Sequence, residues 1–482
     1  MKQFLLLFFA FSLVACAQKK IQMIATTESV PWQVNNSVVV INSMTKTDIG
    51  ISSSNSLQTI EGFGTCFNEL GWTSLKQLGD NDKEAIMKEL FEPGFGANFT
   101  ICRMPIAAND FALKWYSYDE TEGDFLMKNF SISNDLETLV PFIKNALKYN
   151  PILKLWASPW SPPTWMKYNK HYASKSLLGD SDLQSKEWGM DFRGINNGLP
   201  VAREGKEGTN MFIQEDKYFK AYAQYFSKFI KAYRNQDINI DMVMPQNEFN
   251  SAQVFPSCTW TSSGLAQFIG SYLGPEMKKL DVALMFGTME RPSEALVDSI
   301  LTDPIASKYI EGVGFQWAGK EAIPGIHKRY PNLRLYQTEQ ECGNGDNDWK
   351  ACKYSWNLMK HYIKNGANAY MYWNTTLKDG GISTWGWKQN SLVSVDTKNH
   401  TYKFNHEYYL LKHVSHFVLP GAKLLETTGE FKDLLAFENP DKSVVMIIQN
   451  ENSNERKVSV KLNDIYYEIV LQADSFNTIR IN

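Results

Sequence analysis

The stretch Asp216 to Glu248, DKYFKAYAQYFSKFIKAYRNQDINIDMVMPQNE, decides how the rest of the chain is read. Its first two-thirds, Asp216 to Gln236, place aromatic and aliphatic residues at spacings of three and four, the period of a helix with one buried face. Its last third, Ile238 to Glu248, is a short apolar run of the kind that a strand buried on both faces carries. A helix that feeds such a strand is half of a β/α unit. The run stops at an amide and a carboxylate, Asn247-Glu248, where a barrel strand would reach its C-terminal end.

The same texture repeats along the chain. FTICRMPI, PILKLWASP, VALMFGTME, IEGVGFQW, LRLYQTEQ and ANAYMYWN read as further strands with helical or mixed segments between them. About eight such units, all requiring parallel crossovers, predict a closed (β/α)8 TIM barrel over residues 59–404. Outside it the pattern changes. Residues 405–482 alternate apolar and polar side chains between turn clusters, as antiparallel strands do, and residues 17–58 hold a short linker and one or two strands. The two ends are expected to combine into one appended β-sandwich, giving an α/β fold of barrel plus sandwich. Residues 170–214, polar and glycine-containing, read as a long loop of the sort that borders binding sites.

Composition limits the function. The 482 residues carry a formal net charge of −3, which gives nucleic acid no electrostatic foothold. Fourteen Trp and 22 Tyr against seven His suit a cleft that stacks flat rings better than one that binds metal. No CxxC or HxxxH spacing marks a metal site, and nothing calls for a cofactor. At the N-terminus, residues 1–16 read as an export signal: a Lys2 flank, then an apolar run from Phe4 to Val14 too short to span a bilayer. Leu13-Val14-Ala15-Cys16 is similar to a bacterial lipoprotein cleavage box, with Cys16 as the lipidated residue. The expected protein is therefore exported and anchored to a membrane by lipid, at the periplasmic or cell surface. Cys66, Cys102, Cys258, Cys342 and Cys352 are left, an odd number that cannot all pair with one another.

Active sites of (β/α)8 barrels lie at the C-terminal strand ends. Glu248 ends one strand and Glu339, in Leu333 to Gln340, ends another three units later. Two carboxyl groups facing each other across a barrel mouth are what glycoside hydrolysis needs, one as proton donor and the other as nucleophile. In that reading Glu248 is the acid/base, Glu339 the nucleophile, and Asn247 orients the neighbouring sugar hydroxyl. Glu341 and Glu290 are rivals for the nucleophile. Strand alternation puts Glu339 and Glu341 on one face, and Glu339 is preferred because the apolar run stops at it.

Six ordered motifs then resemble glycoside hydrolase family 30, especially its glucosylceramidase-like branch: EGFGTCFNE, CRMPIAANDFALKWYSYDE, WASPWSPPTWMK, QNEF, TEQECG and AYMYWN. The resemblance covers residues 60 to 482. It implies that Arg103 supports the carboxylates, that Asp110 accepts hydrogen bonds from sugar hydroxyls, that Trp160 lines the pocket and that Trp373 forms its floor. It also implies the acid/base role of Glu248 and the nucleophile role of Glu339. Trp156 and Trp165 are further aromatic candidates. Gly380 to Asp396 is expected to overhang the cleft, with Trp385 and Trp387 as contacts for the leaving group. GFQWAGK departs from the branch: Gln316 and Ala318 replace a His and a Tyr. Phe249 adds an aromatic wall where a proline is commoner. The expected function is a retaining glycosidase acting on β-glucosidic linkages, with a β-1,6-glucan as one substrate and ceramide disfavoured. A β-xylosidase or β-fucosidase, or a non-catalytic glycan-binding lipoprotein on the same fold, are the alternatives.

Overall fold

A computed structural model describes residues 20–177 and 194–482. The expected export signal with Cys16, and the middle of the loop expected over 170–214, lie outside those residues. Eight parallel strands form the barrel: Gly62–Cys66, Ile101–Ile106, Lys154–Pro159, Met242–Val243, a fifth in two pieces (Ala283–Leu284 and Phe286–Met289), Gly312–Gln316, Arg334–Glu339 and Ala367–Asn374. The sheet runs from Phe286–Met289 round to Ala283–Leu284. Those two ends are one strand interrupted at Met285, so the ring closes on itself.

The helix Asp216–Arg234 follows from its pattern: Phe219, Tyr222, Phe226, Phe229, Ile230 and Tyr233 are buried on one face. The strand after it is much shorter than the apolar run suggested, only Met242–Val243. Pro245 has no N–H to offer the ladder. Beyond it the chain leaves regular geometry but stays attached, with Met244 N–H donating to Ala157 and Asn247 N–H to Pro159. Glu248 sits at the corner with φ +49°, a left-handed conformation uncommon outside glycine.

The second unit is one ten-stranded sheet made from both chain ends: Ile21–Thr27, Gln33–Asn35, Val38–Ile41 and Ile49–Thr59 join six strands between Lys423 and Ile481. The N-terminal end thus supplies four strands where one or two were expected. Gln33–Asn35 and Val38–Ile41 lie at opposite edges of the sheet order, yet only two residues separate them. The sheet must therefore curl until its edges approach. Alternation divides its two faces. Leu434, Ala436, Met446 and Ile448 fill the sandwich core, while Leu435, Phe437, Val445 and Ile447 join the barrel's core. The stretch after 405 opens not with a strand but with the helix His406–Ser415, whose buried His413 sits between the hydroxyls of Thr26 and Thr478. The sheet resumes only at Lys423. A small third sheet, Thr376–Lys378, Val393–Asp396 and Thr401–Phe404, frames the glycine- and tryptophan-containing loop over the barrel mouth. Cys66, Cys102, Cys258, Cys342 and Cys352 are buried free thiols.

Candidate active site

Arg103, on the second barrel strand, is wholly buried and organises the mouth. Its Nη1 donates to Glu339 Oε2 at 2.9 Å and to Gln316 Oε1 at 3.2 Å; its Nη2 donates to Ser158 Oγ at 2.9 Å and to Asn247 Oδ1 at 2.6 Å. Trp160 lies 4.4 Å from the guanidinium, with Trp156 at 4.9 Å and Trp373 at 5.5 Å. These rings supply π faces to a cation that has left water. One residue of the second strand thereby fixes groups from the third, fourth, sixth and seventh.

Gln316 is the hub between the two glutamates. Its Nε2 lies 3.1 Å from Glu248 Oε1, 3.2 Å from Glu339 Oε2 and 3.1 Å from Asn247 Oδ1. Because a single nitrogen touches both carboxylates, those two oxygens can be no farther apart than the two bonds laid end to end. Thr288 holds the same corner, donating to Asn247 Oδ1 and accepting the Glu248 N–H. The position where a departure from the family pattern was expected is therefore central to the geometry.

Two residues beyond the predicted set also touch the carboxylates. Trp317 donates its indole N–H to Glu339 Oε1 at 3.0 Å, and Gln253 donates to Glu248 Oε2 at 3.0 Å. Trp317 follows Gln316 at a strand end, a visible signal; Gln253 lies in an irregular loop and gives none. The cavity is lined by Asp110, Trp160, Glu248, Glu290, Trp317 and Glu339, with Gln253, Phe255, Trp387 and Gln389 round its rim. Trp373 stands behind Trp160, stacked at 5.3 Å, rather than on the cavity wall. Asp110 Oδ1 is buried without a well-formed protein hydrogen bond, so a hydroxyl group of a ligand could engage it, while the Trp373 indole N–H favours the charged form of the same carboxylate.

Three expected candidates lie elsewhere. Trp385 does not line the cavity: its indole donates to the Tyr172 hydroxyl at 3.2 Å. The tight turn closed by Ser383 N–H to Trp387 O, with Gly386 at φ +84°, brings Trp387 to the cavity instead. Glu341, equivalent to Glu339 by alternation, turns away because the strand ends at Glu339; it pairs with Lys320 at 2.8 Å and accepts from the Tyr354 hydroxyl. Trp165 donates to the Asp119 carbonyl and packs on Phe125. Among the described residues no group of His, Cys, Asp and Glu side chains forms a metal site.

Burial pushes both glutamates upward, but unequally. Glu248 is held well above the usual carboxylate range by desolvation, reinforced by the negative neighbours Glu290, Glu339 and Asp110, with the Gln316 bond opposing. Desolvation also raises Glu339, but Arg103, Trp317 and Gln316 all favour its charged form. Asp110 is raised well above its ordinary value by desolvation and by Glu339. Environments that push two carboxyls apart give one acid and one base. Of the two, Glu248 has the surroundings that favour a proton more and Glu339 the neighbours that favour charge.

Comparison with known proteins gives the family and the fold. The family model described as glycosyl hydrolase family 30 TIM-barrel domain matches residues 60–190 and 202–418, and that described as glycosyl hydrolase family 30 beta sandwich domain matches residues 421–479. The lysosomal acid glucosylceramidase of Mus musculus is 26% identical over 451 residues, covering 87% of this chain and 81% of the mouse protein. The endo-1,6-beta-D-glucanase of Neurospora crassa is 25% identical over 449 residues, covering 87% and 84%. The crystal structure of SrfJ from Salmonella typhimurium superposes with a TM-score of 0.81 at 22% identity, over 96% of this chain and 99% of that one, and so shares the fold.

Proposed function

The chain belongs to glycosyl hydrolase family 30 and is a glycoside hydrolase; from that premise we propose that it cleaves β-glucosidic linkages with retention, with a β-1,6-linked glucan as substrate. The observation that carries the mechanism is the Gln316 amide in contact with both Glu248 and Glu339. This closeness suits the ~5–5.5 Å carboxyl separation of double displacement better than the ~6.5–9.5 Å that must admit a water between sugar and base.

In the first step a Glu339 oxygen attacks the anomeric carbon as the glycosidic C–O bond breaks, and Glu248 gives its proton to the departing oxygen. The product is a glycosyl ester on Glu339. In the second step Glu248, now a carboxylate, takes a proton from water; the water oxygen attacks the same carbon and Glu339 leaves as a carboxylate. Arg103 and Trp317 keep Glu339 charged before attack and receive that charge again at the end. Asp110 and the face of Trp160 suit a pyranose ring, the carboxylate taking hydroxyls and the indole meeting C–H groups. The β-1,6-glucan assignment leans on the Neurospora crassa relative and on the polar lining contributed by Gln253, Glu290 and Gln389. Export and a lipid anchor at Cys16 belong to the same reading, and would place the enzyme where polymeric glycans are met.

Two measurements test it together. Proton NMR of the first-formed product from a β-1,6-gluco-oligosaccharide should show the β anomer, and a 2-deoxy-2-fluoro-glucosyl fluoride should label Glu339. First-formed α product, or a label on another residue, refutes the mechanism.

A further inference from the structure

Glu290 has a place in the cavity that neither chemical step uses. It follows the fifth barrel strand, is 6% exposed, and divides its two oxygens between different surroundings. Oε1 accepts from Arg291 Nη1 at 2.5 Å, and the half-exposed Arg291 reaches on to Glu207 at 3.3 Å. Oε2 is buried and makes no well-formed hydrogen bond, although the neighbouring Ser251 hydroxyl favours the charged carboxylate, and the side chain lines the same cavity as Glu248.

Three features separate this carboxylate from an ordinary structural ion pair. The backbone at 290–291 is pinned without it: Asn250 Oδ1 accepts from the N–H of Glu290 and of Arg291, and Asn250 Nδ2 donates to the Arg291 carbonyl at 2.9 Å. Arg291 satisfies only the outer oxygen. The inner oxygen has only the Ser251 hydroxyl near it and no well-formed bond, in low dielectric where an under-satisfied charged acceptor is costly. A buried acceptor of this kind is stabilised by a ligand that brings a donor, and it discriminates against one that does not.

Its position identifies which part of a ligand it would meet. Asp110, Trp160 and Trp373 come from the second, third and eighth strands and occupy one half of the barrel mouth. Glu290 belongs to the other half, between the strand leading to Glu248 and the strand carrying Gln316. Since Glu248 must touch the bridging oxygen, the departing group extends over the fifth and sixth strands, towards Glu290, Gln253 and Trp387. We propose that Glu290 is a specificity-determining residue of the leaving-group site, accepting a hydroxyl of the departing unit. The enzyme therefore takes a substrate whose leaving group is itself a sugar rather than an apolar alcohol. This rests on the glycosidase reading above and adds to it the residue that recognises the departing sugar.

The test compares one glycone with two leaving groups: a β-1,6-linked glucose disaccharide and 4-nitrophenyl β-glucoside, which has no donor for Glu290 to accept. The quantity read is the ratio of kcat/KM on the disaccharide to that on the aryl glycoside. Loss of a hydrogen bond to a charged group lowers this ratio about 10- to 100-fold in Glu290→Leu. In Glu290→Gln, which keeps an acceptor oxygen, the fall is smaller but at least threefold. Partitioning of the glycosyl ester gives a second readout: glucose as acceptor should lose ground to methanol in both variants. An unchanged ratio in folded Glu290→Gln, or equal losses on the two substrates, overturns the assignment. If the wild-type enzyme turned over neither substrate, the glycosidase reading would fail first and take this inference with it.

Discussion

Glu407→Gln should make the protein more stable in alkali while leaving it unchanged in acid. Glu407 lies in the first turn of the helix His406–Ser415 and is fully buried. One carboxyl oxygen accepts from Asn390 Nδ2 at 2.7 Å and from the Tyr372 hydroxyl at 3.4 Å; the other has no partner. Desolvation dominates and pushes the carboxyl from 4.5 to about 7, against the opposing bonds from Asn390 and Tyr372. The unfolded chain releases this proton near the ordinary value, whereas the folded one holds it to about pH 7. Below both values the group is neutral in either state and costs nothing. As pH rises through that window the folded state loses stability, and above it the full displacement applies. At about 1.36 kcal/mol per unit, this amounts to about 3 kcal/mol.

Glutamine keeps the acceptor for Asn390 and never ionises. Urea unfolding of both proteins from pH 4.5 to 8.5, compared at equal slope, gives the difference directly. The variant should gain about 3 kcal/mol on the wild type across that range, with most of the change between pH 5 and 7. A difference that does not vary with pH, or one that grows towards acid, would refute the reasoning. Subtracting one protein from the other removes the contributions of Glu248 and Asp110, which titrate in both. The connection to function runs through Asn390, whose Oδ1 also accepts from the N–H of Gly345 and of Asn347 in the segment after the nucleophile strand.

Glu248→Ala should slow disaccharide hydrolysis far more than release of nitrophenolate, since only the poor leaving group needs a proton; equal loss in steady-state kinetics on the two would remove the acid role. In the wild type, kcat/KM on the disaccharide should decline as pH rises past the elevated value of Glu248, a limb that the nitrophenyl substrate shows weakly. Trp317→Phe keeps the ring but removes the N–H bonded to Glu339, so kcat should fall about tenfold with KM little changed. Gln316→Leu removes the donor shared by both glutamates and should cost about 10- to 100-fold in kcat, while circular dichroism remains that of the wild type.

The barrel was legible because its parts repeat. Phe219, Tyr222, Phe226 and Tyr233 announce a helix by spacing alone, and most apolar runs mark a strand, though the fourth strand, Met242–Val243, is far shorter than its run. The carboxylates were legible for the same reason, as polar residues at the end of buried runs. Less could be read where several distant elements share control. Nothing local distinguishes Glu339 from Glu341; what separates them is Arg103, more than two hundred residues away, against Lys320 and Tyr354 for Glu341. Nothing local says that Trp387 rather than Trp385 reaches the cavity, because a turn with Gly386 at positive φ decides it. The helix at His406–Ser415 was absorbed into the expected sheet because its neighbours alternate, although its buried residues pack inward at helical spacing. Gln316 stood out only as a substitution, and its three simultaneous contacts come from two other strand ends.

The charge balance of the cavity ties these observations together. Asp110, Glu248, Glu290 and Glu339 share it, with Arg103 as the buried cation and Arg291 reaching in from the rim. Four carboxylates cannot all remain charged in so small a desolvated space, so protons must distribute according to local donors. Glu339 has a guanidinium, an indole N–H and an amide; Glu248 has only amides and is flanked by negative neighbours. That asymmetry assigns the proton before the first step. In the proposed mechanism, formation of the glycosyl ester would remove the charge of Glu339, and with it one of the influences holding the proton on Glu248. Deprotonated Glu248 becomes easier to sustain at the stage when it must act as a base. Glu290 keeps its place through both steps, so its charge biases Glu248 towards the protonated form throughout.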